Sequence, residues 1–269
     1  MRRKQSISVY RYSLIFILVM LMALSVTLPV KLLATWAPPY TGEVKLYDYY
    51  GTLLNGGAHL VVYENRVIGG VEWDLNFISL LEGRVVWDLT VVGDKEITAT
   101  VRGGVSFFGR ELVESLYLDL PVRKVTAFLH REVASLDGRV IVDLVELDIN
   151  RDYPQFSVAG SVKVNGLQIG RGVDIGSFTA AIDKENEGSK IVFQSRGKGT
   201  VGANIIIFID PAGKYRVEGS AEANENAGAA VKTALAWVGK RKGGNKFVVK
   251  SKGDLWSLIG NVINLPDNP

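Results

Sequence analysis

Few residues in this chain have the type and spacing for chemistry. GKGTVG, 197–202, fits the Gly-x-Gly-x-x-Gly spacing of a dinucleotide cradle. That cradle needs a strand before it and a helix after it. Strand-like residues follow here, so the segment reads as a β-turn or bulge. GRGVDIG, 170–176, misses the spacing. No Gly-x-Ser-x-Gly, His-Glu-x-x-His or P-loop motif occurs. Asp143, Glu146 and Asp148 cluster, but they interleave with Leu144, Leu147 and Ile149, as on a solvated strand face. The two histidines, His59 and His130, lie far apart in sequence, and each reads as a surface or packed residue rather than a base. The chain has no cysteine, which excludes disulfides, thiol catalysis and thiolate metal sites. No metal site and no cofactor is expected, and the chain is not expected to be an enzyme.

What the sequence does carry is a repeated phrase. GGVEWDL, 69–75, returns as GRVVWDL, 83–89, and as GRVIVDL, 138–144. Side chains along a strand alternate between its faces. Val71, Trp73 and Leu75 (with Phe77) therefore share one face, as do Val85, Trp87, Leu89 and Val91. Val140, Val142 and Leu144 do the same in the third copy. These residues form a candidate apolar groove, entered in each copy at a glycine bend. The first two copies suggest a hairpin. Pairing about Leu80 sets Trp73 opposite Trp87 but faces Glu72 with Asp88. A slip of two sets Asp74 against Arg84 and leaves the indoles diagonal. A slip of one would turn one apolar set to the wrong face.

Period-two segments recur along most of the chain. They are 44–50, 58–63, 95–103, 112–120, 155–164, 175–182, 190–195, 203–209, 214–221 and 246–251. Asn55-Gly56, Asp137-Gly138, Asn165-Gly166 and Pro211-Ala212-Gly213 read as turns between them. NIIIFID, 204–210, is apolar on both faces and suggests a strand covered on both sides. One helix is expected within 224–244, capped by Asn224 or Asn226, ending in Lys240, Arg241 and Lys242 and stopped by Gly243. Val231, Leu235 and Val238 form its apolar stripe. KRKGGNK, 240–246, reads as a solvated helix end and turn, with anionic lipid headgroups as a sharper reading. Residues 254–263 fit a helix or a strand. The fold class is mainly β: an N-terminal transmembrane helix, then a curved, mostly antiparallel sheet forming a groove or half-barrel, with a short C-terminal helix.

The N-terminus is different. Arg2, Arg3, Lys4 and Arg11 precede an apolar run from Leu14 to Val30. A helix of that length rises about 26 Å, near the ~30 Å of a hydrocarbon core. Leu14, Ile15, Phe16, Leu18, Leu21, Leu24, Val26 and Leu28 are the expected anchor residues. Lys31 can snorkel, and basic residues ahead of the span predict a cytoplasmic N-terminus. A cleaved signal peptide is the rival reading. Its best site, Thr35-Trp36-Ala37, would leave Pro38 after the cut, a poor context. The expected organisation is a basic segment at 1–12, an anchor at 13–35, a Pro-rich linker at 36–43 and a β-rich domain at 44–269. The net charge is +3, and no basic stripe interleaved with aromatics occurs, so nucleic acid is not an expected partner.

The order of these features resembles the type II secretion system protein N family, also called general secretion pathway protein N. The likeness is carried by the basic-flanked span and Pro-rich exit, by YGTLLNGGAHL at 50–60, and by the glycine-led Trp-x-Leu pair at 70–75 and 83–89. GRVIVDLVELDI at 138–149, PAGKYRVEGS at 211–220 and GGNKFVVKSKGDL at 243–255 continue it. Leu54 stands where the family usually has Trp. The resemblance implies a single-pass protein of the bacterial inner membrane with a periplasmic domain. It implies a non-enzymatic, accessory role in export, with other secretion components as partners. A distant similarity to AsmA-like proteins implies an alternative: a lipid-binding groove in contact with membrane lipid.

Overall fold

A computed structural model describes residues 12–17, 19–20, 27–32, 44–63, 66–92, 96–109, 111–128, 136–150, 155–170, 172–185, 188–197, 199–225 and 227–255. From Val44 onward the chain forms one 14-stranded sheet. The first half runs β1 (Val44–Gly51), β2 (Asn55–Tyr63), β3 (Arg66–Leu75), β4 (Arg84–Val92), β5 (Thr98–Ser106) and β6 (Glu111–Pro121). β7 (Leu136–Asn150), β8 (Gln155–Ile169), β9 (Val173–Glu185) and β10 (Gly188–Arg196) follow. β11 (Val201–Ile209), β12 (Lys214–Ala223), β13 (Lys240–Arg241) and β14 (Lys246–Asp254) complete it. Each strand pairs antiparallel with its neighbour in sequence until β12, which pairs with β14; β13 then lies at the edge. Among the described residues three short helices interrupt the meander: α1 (Phe77–Leu81), α2 (Val122–Phe128) and α3 (Ala229–Val238).

Every strand expected from period two is present. All three lead glycines of the repeated phrase, Gly69, Gly83 and Gly138, have positive φ, a region other residues avoid.

The registers carry one face across the sheet. Trp73 pairs with Leu89, Leu89 with Val101, Val101 with Leu116, and Leu116 with Leu144. Leu144 pairs with Gly160, and the same face continues through Ile182, Ile191, Ile207, Val217 and Ser251. Most buried strand residues lie on this face, among them Leu75, Ala99, Leu120, Phe178, Ala180, Phe247 and Val249. Val86 is fully buried on the opposite face, where its carbonyl accepts the Asn76 N–H at 2.8 Å.

The apolar face is concave toward its C-terminal half. The buried Ser189 hydroxyl, on β10, accepts the Val158 N–H at 3.0 Å and donates to the Val158 carbonyl at 3.2 Å. Val158 belongs to β8, so the contact reaches past the intervening β9. A flat sheet cannot bring these strands together, and open sheets beyond about ten strands tend to curl. α3 seals the same region. Ala227 and Val231 pack with Ile175, Phe178, Val201 and Ala223 in a buried cluster, and Phe178 stacks on Phe193 at 5.2 Å.

Several expectations are corrected. The strand expected to run to Phe77 stops at Leu75, because Asn76 caps α1: its Oδ1 accepts the N–H groups of Ile78 and Ser79. The hairpin register matches neither expected one. Trp73 faces Leu89 and Leu75 faces Trp87, an even slip in the direction opposite to the one weighed. Asp137-Gly138 and Asn165-Gly166 are not turns. They mark register shifts within β7 and β8, where an extra residue lets long strands bend. Asn55 and Gly56 open β2 after a turn at Thr52, whereas the Pro211–Gly213 turn is present. α3 is shorter than expected. It starts after Gly228 and ends at Gly239, so neither Asn224 nor Gly243 bounds it; residue 226 lies outside the described residues. Lys240 and Arg241 then pair with Val248 and Phe247 as an edge strand rather than a helix end. On the outer face of β11, no second layer among the described residues covers Phe208; Lys190 and Arg216 lie over its ring at 5.7 and 5.2 Å.

At the N-terminus, Leu14, Ile15 and Phe16 lie in a helical stretch and are exposed. Leu28 sits at a bend, and Leu18, Leu21, Leu24 and Val26 fall outside the described residues. Among the described residues no helix is long and apolar enough to cross a membrane. β14 extends to Asp254, and residues 256–263 fall outside the description.

The Ser189 clasp gives a direct test of the curl. Ser189→Ala leaves a buried N–H and C=O unpaired and is expected to cost about 1–3 kcal/mol. Ser177→Ala, which removes an exposed acceptor for the Gly166 N–H, is expected to cost less. Urea unfolding midpoints of the two variants check the order.

Candidate functional site

The concave face carries an open apolar hollow of about 570 Å³ at its N-terminal half. Trp73, Trp87, Leu89, Val101 and Val113 line it, with Leu53 at its rim and Gly103 and Gly104 in its floor. β3 and β4 supply the two indoles. Their diagonal placement follows from α1, whose length fixes the register of the hairpin. The Trp73 Nε1–H donates to the Thr52 carbonyl at 3.1 Å, which fixes that ring against the β1–β2 turn. Trp87 faces Gly103, whose missing side chain leaves room above the floor for the ring. Gly104 is required by close approach: a Cβ there would come within 1.8 Å of the Val85 carbonyl oxygen.

The nine residues expected to form a groove all lie on this one face, but the hollow gathers only some of them. Trp73, Trp87 and Leu89 meet there. Val71 and Val85 extend the same strands, and Leu75 is buried. Val140, Val142 and Leu144 stand on β7, separated from β4 by β5 and β6. Val101, Val113 and the two glycines were missed by sequence reasoning. Their signal is the alternation of 99–105 together with the paired glycines, which leave space opposite a tryptophan.

The opposite face is polar and charge-paired. Asp74 and Asp88 stand directly opposite each other, a like-charge contact. Arg102 relieves it from β5, donating to Asp88 through Nε at 2.6 Å and Nη2 at 3.1 Å. The hydrogen bond to Asp88, with its charge, pushes the Arg102 guanidinium upward, so it stays charged. Arg139 pairs with Asp119 at 2.5 Å, and Arg84 pairs with both Glu82 and Glu114. The Tyr50 phenol is raised, first by desolvation and then by its hydrogen bond to Glu72 at 2.9 Å.

The residues considered for chemistry take structural places. The glycine motif at 197–202 runs from the end of β10 into β11, so a strand and not a helix follows it. His59 is exposed; its Nδ1 lies 3.2 Å from both the carbonyl and the carboxylate of Asp48, and its ring meets Tyr50. Asp143 is exposed on the outer face, while His130 lies outside the described residues. Among the described residues no group of His, Asp or Glu could hold a metal ion.

A family model described as "Type II secretion system (T2SS), protein N" matches residues 23–250. The chain belongs to this family. The match begins within the N-terminal apolar run and ends in β14, so it takes in almost the whole sheet. No curated protein and no solved structure matches the chain. Type II secretion protein N is not a known enzyme family, and the chain is a component of that secretion system.

The two faces respond differently to substitution. Leu75→Arg puts a charge without a partner at a buried position of the apolar face, beside Trp87 in the register, and is expected to cost about 3 kcal/mol or more. Asp88→Asn loses an exposed ion pair and is expected to cost less than about 1 kcal/mol. Thermal or urea unfolding measures both. Equal losses would overturn the assignment of faces.

Proposed function

We propose that this protein is a non-enzymatic, accessory component of the type II secretion system, held in the bacterial inner membrane by a single N-terminal span. The family match over residues 23–250 carries this reading. In it, the apolar run that starts at Leu14 anchors the chain, the N-terminus is cytoplasmic, and the sheet stands in the periplasm. Basic residues before the apolar run support that orientation. The helical stretch with exposed Leu14, Ile15 and Phe16 is consistent with an anchor. The sheet then works as a scaffold that contributes to assembly or envelope contacts with other secretion components.

One observation favours a second reading. The hollow at Trp73 and Trp87 is open, apolar and wide enough for part of an acyl chain. An unfilled apolar surface of this kind marks a ligand groove or an interaction site. In this alternative the concave face binds or transfers lipid, as the distant similarity to AsmA-like proteins suggests.

Purification of the full chain from membranes in mild detergent separates the readings. Co-purifying proteins and bound lipids are identified together, and the mature N-terminus is sequenced. The first reading expects other secretion components and an N-terminus ahead of the apolar run. Stoichiometric lipid without secretion components favours the second, and a mature start near Pro38 would remove the anchor.

A further inference from the structure

The first half of the sheet ends in three successive turns with an unusual surface. Leu53 occupies the β1–β2 turn, Phe77, Ile78 and Leu81 lie on α1 between β3 and β4, and Phe107 and Phe108 form the β5–β6 turn. All six are exposed, reaching 71% at Ile78, 90% at Leu81 and 100% at Phe108. The turns lie side by side. The Leu75 N–H donates to the Leu54 carbonyl at 2.6 Å, and the Phe107 N–H to the Gly83 carbonyl at 2.9 Å. Single exposed apolar residues are ordinary, but a contiguous group on adjacent turns marks an interaction surface. The one acidic side chain of α1 and its C-cap, Glu82, is paired with Arg84, so it does not stand as an isolated charge.

The same end of the sheet receives the N-terminal segment. Pro29 forms a β-bridge with Thr52, next to Leu53, and Val30 is buried. Pro29 lies at the end of the apolar run that starts at Leu14. There is thus almost no tether between the end of that run and the apolar turns. If the run enters a bilayer, the bilayer surface lies beside Thr52, and the neighbouring turns face it.

We infer that these turns form a second membrane contact, with Phe107, Phe108, Leu81 and Ile78 inserted into the outer interface of the bilayer that holds the anchor. The choice of a bilayer rests on the anchored reading above; the apolar end itself rests on the sheet geometry. The contact fixes the sheet upright on its turns. The concave face then stands along the membrane normal, with its hollow opening beside the lipid surface.

The chain has no cysteine, so single labels are unambiguous. Nitroxides are placed at Phe108→Cys, at Leu81→Cys, at Phe16→Cys in the run, and at Val173→Cys at the opposite end of the sheet. The full chain is reconstituted in nanodiscs of phosphatidylethanolamine and phosphatidylglycerol. Collision with oxygen, which enriches in lipid, is compared with collision with a water-soluble nickel chelate. Oxygen is expected to dominate at 108, 81 and 16, with the order inverted at 173. A lipid-exposed label at 16 with water-exposed labels at 108 and 81 overturns this inference and leaves the anchor intact. A water-exposed label at 16 overturns the anchor and the inference with it. Labels at 108 and 81 shielded from both probes point to contact with a second copy of the chain and also overturn it.

Discussion

Backbone pairing between neighbours and a period of two along each strand together govern this molecule. A strand that bonds to its neighbour out of phase would turn its apolar side chains to water. Each pair in the meander therefore has to hold an even register or insert a residue where it fails. Between β5 and β6 the insertion is visible. Arg102 faces Ser115 but Gly103 faces Val113, which leaves Glu114 unpaired in the ladder. Val113 and Leu116, three residues apart, then share the apolar face. Arg84 takes up the displaced carboxylate. The hollow, the buried cluster under α3 and the charged outer face all follow from this shared phase.

The concave face is used differently at its two ends. In the C-terminal half the curl and α3 close it, and Phe178, Val201 and Ala223 are buried by the chain itself. In the N-terminal half no helix among the described residues lies over Trp73 and Trp87, where the hollow is open. The open part adjoins the turns where the N-terminal segment docks. A scaffold that contacts partners or lipid from this side needs such an asymmetry: a self-supporting core at one end and an uncovered surface at the other.

The strands were legible because most have one wet face and one dry face, so alternation shows in the sequence. Membership of one face was legible for the same reason. What was not legible depends on geometry that period two does not encode. α1 continues the apolar phrase of β3, and only the Asn76 cap separates them, so the hairpin register was set by a helix read as strand and loop. α2 follows Pro121 in a short segment with no long period to reveal it. Asp137-Gly138 and Asn165-Gly166 have turn-like composition, yet they bend two 15-residue strands. Which groove residues gather depends on Gly103 and on curvature. The anchor reading rests on hydropathy and on the basic residues ahead of the apolar run.

The shared phase is tested most directly by disulfide trapping in the cysteine-free chain. Glu72 and Thr90 face each other in the β3–β4 register, and directly opposed residues lie within the span of a disulfide. The account predicts that Glu72→Cys with Thr90→Cys oxidises readily to an intramolecular bond, while Glu72→Cys with Leu89→Cys, which stand on opposite faces, stays reduced. Ready bonding between 72 and 89, with none between 72 and 90, would contradict the phase from which the apolar face is built.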